Sequence, residues 1–511
     1  MTLASARSVA LIGVAGTMVE VEAATASGLP RTVLVGLPDT SLYEARDRCR
    51  AAVASAGLSW PAQALTINLT PACLPKAGTH FDLAIAAAAL AADEVIPTAM
   101  LSSTVLLGEL GLDGRVRPVR GVLPALLAAR EAGFHRAVVP RGQAAEARLV
   151  EGVTVTSVGH LSELIDVLHG RAPREEDADE PLAQPSTADP SSAGRGDFSE
   201  VIGQLEARHA MEVAAAGRHH IVLRGAPGCG KSMLAARLPT ILPPLDQKEA
   251  LEVTAVHSLV GNGTVHELMT TPPLSEPHHS VSMAAMVGGG ARVARPGAVS
   301  LAHRGVLFLD EAPEFPPRVL DALRGPLENG YVTICRCQAQ TTYPARFQLV
   351  MALNPCPCGL ADDRDGGCRC TPQMVLRYAS RISGPILDRV DIHQRMRPLT
   401  KMHLVGATSL PQGESSRTVG ERVQEARHRA ARRWAGTPWR VNAEVPGSQL
   451  RKRLPSPAAV QVIEDALARR QLTARGVDKV LRIAWTEADL AGCDDVTATH
   501  IRQAMALRQG D

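Results

Sequence analysis

Apolar positions in the first third of the chain fall into strand-like runs and helical patterns that alternate, which predicts a mixed α/β domain. The strand-like runs are 31–36, 64–69 and 137–140, and the helical patterns are 41–56, 81–92 and 122–132. A second alternation begins near residue 198, with strand patterns at 220–224, 305–310 and 347–354 and a helix at 231–238. From residue 401 onward the patterns are helical, at 419–434, 457–470, 477–491 and 498–508. The chain therefore predicts two α/β domains followed by a helical domain.

The segment 173–197 separates the two α/β domains. It contains four prolines, the acidic run 175–177 and clusters of serine and glycine. Such a composition cannot bury enough apolar surface to offset the entropy lost on ordering, so we predict a flexible linker. The predicted organisation is an N-terminal domain at 1–172, the linker at 173–197, a central domain at 198–400 and a C-terminal helical domain at 401–511.

Composition agrees with a multidomain globular protein. The 511 residues correspond to about three domains of roughly 150 residues each. Hydrophobic residues make up 45% and charged residues 21% of the chain, which is ordinary for globular proteins. The longest apolar stretch, 83–92, is too short to span a bilayer, and the N-terminus lacks the pattern of a signal peptide. A cytoplasmic protein with no membrane partner is expected.

A glycine-rich loop lies between the strand pattern 220–224 and the helix pattern that begins at 231. Its residues are Gly225, Ala226, Pro227, Gly228, Cys229, Gly230, Lys231 and Ser232. Loop amides and the N-terminus of the following helix form an anion cradle, and the glycines permit the required backbone turns. In such a loop Lys231 contacts the β- and γ-phosphates of ATP, and Ser232 ligates Mg²⁺. The sequence therefore predicts that the chain binds and hydrolyses ATP, with Mg²⁺ as its cofactor.

Three polar residues end the other strand patterns of the central domain. Asp310 and Glu311 follow one strand, and Asn354 ends the next. Polar strand tips on the same edge of a sheet lie beside the P-loop, so these residues predict the hydrolytic part of the site. Asp310 can hold the Mg²⁺ shell, Glu311 can polarise the attacking water as a general base, and Asn354 can orient that water.

The central domain now resembles the AAA+ superfamily, and within it the magnesium-chelatase-like ATPases. The resembling motifs lie at 277–280, 287–290, 295–297, 300–303, 305–315, 343–350, 354–359 and 383–391. The segment 198–204, which includes Ile202 and Gly203, matches the AAA+ segment that contacts adenine. Together with the N-terminal domain, nearly the whole chain looks like the ComM/YifB family. This resemblance implies ATP-driven branch migration of DNA in recombination, associated with natural transformation.

Two arginines take their expected roles from this resemblance. Arg389, in the motif 387–389, matches the arginine finger that reaches into the ATP site of a neighbouring subunit. Arg475, in the motif 473–476, matches the second sensor arginine on the helical lid. The family implies a hexameric ring, in which each ATP site is completed by the next subunit.

The N-terminal domain resembles the Lon protease domain at 75–82 and 107–133. Lon-type proteases use a serine nucleophile that a lysine activates. The serine position falls on His80 and the lysine position on Leu123, and a leucine cannot deprotonate a hydroxyl group. We therefore predict a Lon-like fold without peptidase activity, which serves as a binding or assembly module.

Four cysteines form two Cys-x-Cys pairs directly after Asn354. They are Cys356, Cys358, Cys368 and Cys370, and nine residues separate the pairs. Four thiolates on a glycine-containing loop can enclose a tetrahedral Zn²⁺ ion. The alternative is four buried small hydrophobic residues, which the polar loop disfavours. The ten cysteines of a cytoplasmic chain argue against a disulfide framework, so we predict a structural zinc site here.

Candidate DNA contacts come from the resemblance and from charge. The resemblance puts two loops in the pore of the ring, 274–297 with Arg292 and Arg295, and 330–343 with Arg336. Ten basic and three acidic residues between 417 and 453 form a third basic stretch, which either contacts phosphate or is a solvated helix face. Aromatic residues make up only 3% of the chain, so phosphate contacts and not base stacking should dominate binding to branched or single-stranded DNA.

Two other functions remain open at the level of sequence. The first is a magnesium-chelatase subunit that drives metal insertion into a porphyrin, which shares the ATPase core. The Lon-like domain and the four-cysteine loop point away from it. The second is an ATPase that remodels protein partners without acting as a DNA motor. Stimulation of ATP turnover by DNA would distinguish the DNA motor from this second alternative.

Overall fold

The computed structural model describes residues 2–36, 40–72, 74, 76, 78–171, 196–261, 265–290, 294–335, 340–361, 367–397, 413–453 and 456–510. The predicted linker lies almost wholly outside these ranges, as do Arg292 and Arg336 of the candidate DNA loops. In the part of the chain that is described, no helix is long and apolar enough to cross a membrane.

Nine strands form the framework of the N-terminal domain. They are β1 (Thr2–Ile12), β2 (Ala15–Ala26), β3 (Arg31–Val35), β4 (Ala64–Thr70), β5 (Thr104–Leu106), β6 (Glu109–Leu110), β7 (Val116–Arg117), β8 (Arg136–Pro140) and β9 (Thr154–Val158). Seven of them make one sheet in the order β3-β4-β2-β1-β5-β8-β9, and β6 pairs with β7. In β2, Val19, Val21 and Ala23 are buried while the residues between them are partly exposed, which is the period of two that a strand imposes.

Five helices cover this sheet: α1 (Thr40–Ser55), α2 (Asp82–Ala92), α3 (Val122–Glu131), α4 (Ala144–Arg148) and α5 (Leu161–Leu168). Every residue of α2 is buried, because the helix packs against β1, β2 and α1. The strands and helices predicted for this domain are all present, with ends that differ by one or two residues. The two longest strands, β1 and β2, were not predicted.

The central domain is a five-stranded parallel sheet with two small ribbons. Its strands are β10 (Ile221–Arg224), β11 (Leu274–Ser275), β12 (Gly288–Gly289), β13 (Arg295–Pro296), β14 (Val306–Leu309), β15 (Tyr331–Cys335), β16 (Gln340–Pro344), β17 (Gln348–Leu353) and β18 (Ile392–Arg395). The sheet has the order β11-β14-β17-β10-β18, and β12–β13 and β15–β16 are antiparallel ribbons. Because all five strands are parallel, the residues that follow them meet at one edge.

The helices of the central domain are α6 (Leu205–Gly217), α7 (Lys231–Ile241), α8 (Gln247–Ser258), α9 (Met283–Val287), α10 (Ala298–Leu301), α11 (Pro317–Asp321), α12 (Arg324–Asn329), α13 (Pro372–Ala379) and α14 (Gly384–Leu387). The C-terminal helices follow as α15 (Ser416–Arg433), α16 (Gly447–Leu450), α17 (Pro457–Ala468), α18 (Ala474–Leu490) and α19 (Ala498–Gln509). A continuous apolar core joins α15 and α18 to α6 and α7, so the helical domain packs directly on the central domain.

Four arginines of α15 bond to the protein. Arg422 pairs with Glu212 and Glu414, Arg427 and Arg429 donate to the carbonyl oxygens of Ala215 and Asp489, and Arg433 pairs with the Asp489 carboxylate. The sequence left two alternatives for this basic stretch, contact with phosphate or a solvated helix face. These four side chains do neither, because they attach α15 to α6 and α18. Arg417 and Arg432 are the exposed members of the helix.

Candidate functional site

The P-loop runs from the end of β10 to the start of α7. The Gly225 N–H donates to the Leu353 carbonyl oxygen (3.1 Å), which joins the loop to the neighbouring strand β17. A Cβ atom at Gly225 would lie 2.6 Å from the Met396 carbonyl oxygen, so only glycine fits there. Gly228 and Gly230 have φ of 78° and 91°, in the left-handed region that glycine tolerates. The loop therefore has the backbone that brings amide groups and a helix N-terminus toward an anion.

Lys231 lies at the base of this loop and is buried. Its Nζ donates to the carbonyl oxygens of Gly225 (2.7 Å) and Ala226 (2.9 Å) and to Oδ1 of Asn354 (3.0 Å). The third bond brings together the two residues that the sequence assigned to phosphate and water. Its Nζ also lies 3.9 Å from Sγ of Cys229. A buried ammonium group with these neighbours and no described carboxylate partner fits a phosphate group as its counter-charge.

Ser232 and Asp310 meet at the first turn of α7. The Ser232 hydroxyl donates to Oδ2 of Asp310 (2.7 Å), and Oδ1 of Asp310 accepts the N–H of Glu311 (2.8 Å). A hydroxyl and a carboxylate are hard oxygen ligands of the kind that Mg²⁺ takes together with nucleotide phosphates. The donor set therefore fits the predicted metal, with Ser232 and Asp310 as its protein ligands.

Glu311 has a left-handed backbone, with φ 48° and ψ 44°. Such a conformation is costly for a residue with a side chain and is held here by the bond from its N–H to Asp310. The Glu311 side chain is 54% exposed, so its carboxylate is accessible to water. This geometry suits a general base that activates a water molecule next to the metal site.

The predicted adenine segment contacts the P-loop from the other side. Gln204 Nε2 donates to the carbonyl oxygens of Cys229 (3.2 Å) and Arg397 (2.6 Å). Ile202 is 43% exposed and precedes Gly203, which has φ of 69°. An exposed isoleucine beside the loop offers an apolar surface for a base, while the buried Cys229 packs into the core.

Arg475 contacts Asp388, which directly precedes Arg389 in the chain. Arg475 donates to Oδ2 of Asp388 (3.3 Å), the neighbour of Arg389 in the chain. Arg389 donates to the carbonyl oxygen of Pro385 (2.5 Å) and pairs with Glu328. In the described part of the chain, neither arginine bonds to a P-loop residue. The structure thus gathers Lys231, Ser232, Asp310, Glu311 and Asn354 and leaves both arginines on a separate surface.

The four predicted cysteine ligands converge. All four sulfur atoms lie within 4.8 Å of one another, and the Sγ of Cys356 is 3.2 Å from that of Cys358 and 3.8 Å from that of Cys368. Hydrogen bonding by the Leu360 N–H and by the Cys356 thiol lowers the pKa of Cys358 to about 6, which favours the thiolate. The set of four sulfur donors fits a tetrahedral metal ion.

The cysteine loop also touches the P-loop, a contact that sequence reasoning missed. Gly359 has φ of 82°, and a Cβ atom there would lie 2.4 Å from Cδ of Pro227. Asn354, which accepts from Lys231, lies two residues before Cys356. A metal held by the cysteines would therefore brace the ATP site at two points.

The two residues that the resemblance aligned with the Lon dyad are His80 and Leu123. His80 Nε2 lies 2.9 Å from the Val9 carbonyl oxygen, and Leu123 is fully buried. Lys76 is also buried, and its Nζ donates to the carbonyl oxygens of Gly36 (3.1 Å) and Pro71. In these two contacts the lysine donates to backbone carbonyl oxygens.

The N-terminal domain docks on helix α8 of the ATPase core. Glu146 is buried at this contact and accepts from the Ser258 hydroxyl (2.5 Å) and the Leu123 N–H (3.1 Å). Gln247 Nε2 donates to Glu151 (3.0 Å), and Gly13 lies against Thr341 of ribbon β15–β16. The domain thus contacts one of the two candidate DNA loops.

Comparisons with known proteins show which family the chain resembles along its length. Three family models match: "Magnesium chelatase, subunit ChlI" at residues 197–404, "Subunit ChlI of Mg-chelatase" at 21–143, and "Magnesium chelatase, subunit ChlI C-terminal" at 413–508. An uncharacterised Mycobacterium tuberculosis protein is 50% identical over 100% of this chain and 99% of its own length. Escherichia coli YifB is 40% identical (100% and 98%), and the Haemophilus influenzae competence protein ComM is 38% identical (99% and 98%). The magnesium-chelatase 38 kDa subunit of Rhodobacter capsulatus is 25% identical over 43% of the chain.

Proposed function

The chain belongs to the ComM/YifB family of magnesium-chelatase-like AAA+ ATPases, and we propose that it is an ATP-driven ring motor that moves branched DNA in recombination or natural transformation. The observation that carries the ATPase part is the junction of Lys231, Asn354, Ser232 and Asp310 at one edge of the parallel sheet. One full-length relative is named a competence protein, and DNA movement by this chain is our proposal.

In this proposal the residues of one subunit bind and orient ATP. The P-loop amides and Lys231 hold the phosphates, and Ile202 and Gly203 flank the base. Mg²⁺, held by Ser232 and Asp310, would neutralise charge on the β- and γ-phosphates. Glu311 accepts a proton from the attacking water at its carboxylate, while Asn354 orients that water. Lys231 and Asn354 are already hydrogen-bonded, so the phosphate-binding group and the water-orienting group move as a unit.

A neighbouring subunit completes the site. Arg389 and Arg475 lie together near Asp388 and bond to no described residue of their own P-loop. This supports an oligomer, which we propose to be a hexamer. In it, the surface near Asp388 faces the ATP of the next subunit. Sedimentation of the purified chain with and without ATP tests this step, and a monomer under all conditions would exclude it.

We place the DNA contacts in the two ribbons β12–β13 and β15–β16. Arg295 is exposed in the first, and Tyr331 is 48% exposed in the second. Four of the six arginines that lie within α15 bond to residues outside the helix, which removes most of that helix as a competing site. DNA affinity should fall steeply with salt concentration, because phosphate contacts release counterions.

The cysteine cluster is proposed to hold one structural Zn²⁺ per chain. The convergence of four sulfur atoms supports this assignment. Metal analysis of the native protein should give about one zinc per chain, which is the stoichiometry of a closed four-cysteine site. The Cys358→Ser variant should lose it, and Cys493→Ser, outside the cluster, should keep it. Zinc far below one per chain in the wild type would exclude the site.

The first rival is a porphyrin-metallating subunit. Relatives named as magnesium-chelatase subunits align with 40–43% of the chain, whereas YifB and ComM align with nearly all of it, which favours the DNA motor. The second rival is a protein-remodelling ATPase. ATP turnover by the wild type and by Lys231→Ala, measured with and without branched DNA, distinguishes the DNA motor from the protein-remodelling ATPase. The DNA motor predicts stimulation by DNA and no turnover in the variant, and turnover that DNA leaves unchanged favours the second rival.

A further inference from the structure

The segment that follows β11 runs along the same sheet edge as Asp310 and Glu311. Strand β11 pairs in parallel with β14, with Leu274 opposite Val306 and Ser275 opposite Leu307. Residues that follow the two strands therefore leave the sheet side by side. Partial burial and, after it, the negative charge of Asp310 raise the pKa of Glu276, which agrees with this closeness.

Within this segment His279 reaches Glu311. The His279 Nδ1 atom is 4.0 Å from Oε2 of Glu311, and the two side chains are 39% and 54% exposed. In the described part of the chain, the Glu311 carboxylate has no other basic side chain within that distance. This pair connects the segment 277–280, one of the family-like motifs, to the proposed general base Glu311.

The ring of His279 lies beside that of its chain neighbour His278. The rings of His278 and His279 have centroids 4.0 Å apart. His278 Nδ1 lies 2.8 Å from the Ser280 hydroxyl oxygen, and the Val281 N–H donates to the His278 carbonyl oxygen (2.9 Å). A tight turn thus holds His278, whose ring lies beside that of His279.

The outer torsions of Glu311 need such a contact. Its backbone is fixed by the bond from its N–H to Asp310, but this bond leaves the side-chain torsions open. A half-exposed glutamate samples several rotamers, and a general base acts only from the one that faces the reacting water. The 4.0 Å between His279 Nδ1 and Glu311 Oε2 is longer than a hydrogen bond, so this positioning requires the two side chains to move closer during turnover.

We infer that His279 is a positioning residue that holds the Glu311 carboxylate in the orientation required for water activation. In this role His279 acts through Glu311. The inference rests on the proposed ATP hydrolysis at the P-loop. Because exposed ion pairs contribute little to folding, the effect of changing His279 belongs to turnover and not to stability.

The test measures steady-state ATP hydrolysis and the affinity for a fluorescent ATP analogue in the full-length protein. His279→Ala should lower kcat about tenfold while KM and analogue affinity stay within about twofold, since only an oriented base is lost. His279→Asn should restore kcat, because its amide nitrogen occupies the place of Nδ1. His279→Gln should not, because its amide lies one methylene further from the backbone.

His278→Ala is the matched control at the adjacent histidine, which does not contact Glu311, and it should keep more than half of the wild-type kcat. The inference is overturned if His279→Ala retains wild-type kcat, if it changes KM alone, or if Asn and Gln behave alike. Failure of the proposed function looks different: the wild type itself would show no ATP turnover above that of Lys231→Ala.

Discussion

Gly359→Ala tests the link between the cysteine loop and the P-loop. Gly359 has φ of 82°, and an added Cβ atom would lie 2.4 Å from Cδ and 2.5 Å from Cγ of Pro227. Carbon atoms that are not bonded do not approach this closely, so one of the two loops must move. Because the cysteines anchor one loop and β10 and α7 anchor the other, we expect the strain to be shared.

The loss of folding stability expected for Gly359→Ala has two parts, which a control variant separates. An alanine in the left-handed region costs about 1–2 kcal/mol, and overpacking of this kind costs about 1–3 kcal/mol. Gly436 has φ of 78° and no atom within 4 Å of its Cβ position, so Gly436→Ala carries the first cost alone. We expect Gly359→Ala to lower the free energy of unfolding by about 2–5 kcal/mol and Gly436→Ala by about 1–2 kcal/mol.

The decisive assay is nucleotide affinity. If Pro227 is displaced, the loop amides lose their alignment, and a strain of about 1.4 kcal/mol in the P-loop weakens ATP binding about tenfold. Gly436→Ala should bind ATP as the wild type does. Pro227→Ala removes the two atoms that clash, so the double variant should regain most of the affinity. Equal affinity in the two glycine variants, or no rescue by Pro227→Ala, would refute the contact as a brace.

Three further expectations follow from other parts of the molecule. Arg433→Ala should lower the free energy of unfolding in denaturant titrations by about 3–5 kcal/mol, because it leaves the buried Asp489 carboxylate without its ion-pair partner. Arg417→Ala, at an exposed position, should change the free energy of unfolding by less than about 0.5 kcal/mol. Equal effects of the two substitutions would contradict this. Hydrogen bonding by His303 and the charge of Arg304 lower the pKa of Glu252 to about 2, so its contribution to stability is present above its ordinary value of 4.5 and is lost as pH falls toward 2. Glu252→Gln should therefore flatten this acid limb in pH-dependent unfolding, and an unchanged limb would show that the carboxylate contributes nothing. The wild type should release no peptides from casein with ATP, and cleavage that disappears in His80→Ala would overturn the view of the N-terminal domain as a module without peptidase activity.

The ATP site could be predicted because its signals are local. Glycines at 225, 228 and 230 followed by Lys231 define one turn of backbone, and the apolar run before Asp310 defines a buried strand. Both kinds of signal depend on residues adjacent in the chain. The structure accordingly puts Ser232 on Asp310 and Lys231 on Asn354.

Strands β1 and β2 escaped prediction for a compositional reason. They are rich in alanine, serine and threonine, and β-propensity reflects packing of larger branched side chains on a half-buried surface. Their stability comes from eleven paired positions between the two strands and from packing of Val19 and Val21 against α2 and α1. That information lies in tertiary contacts and not in either segment alone.

Contacts between distant segments were likewise beyond the sequence. The approach of Gly359 to Pro227 and of His279 to Glu311 depends on which strands are neighbours in the sheet. The charge pattern of α15 was equally ambiguous, because a run of arginines reads the same whether its partners are phosphates or carboxylates such as Glu212. Only the packing of α15 on α6 distinguishes the two.

The most direct test of the proposed motor is branch migration of a synthetic four-way DNA junction. Wild-type protein with Mg²⁺ and ATP should convert the junction into its two duplex products, and Lys231→Ala, which cannot hold the phosphates, should leave it intact at equal DNA binding. A wild-type protein that hydrolyses ATP but never resolves the junction, over a range of salt concentrations at which it binds DNA, would contradict the account.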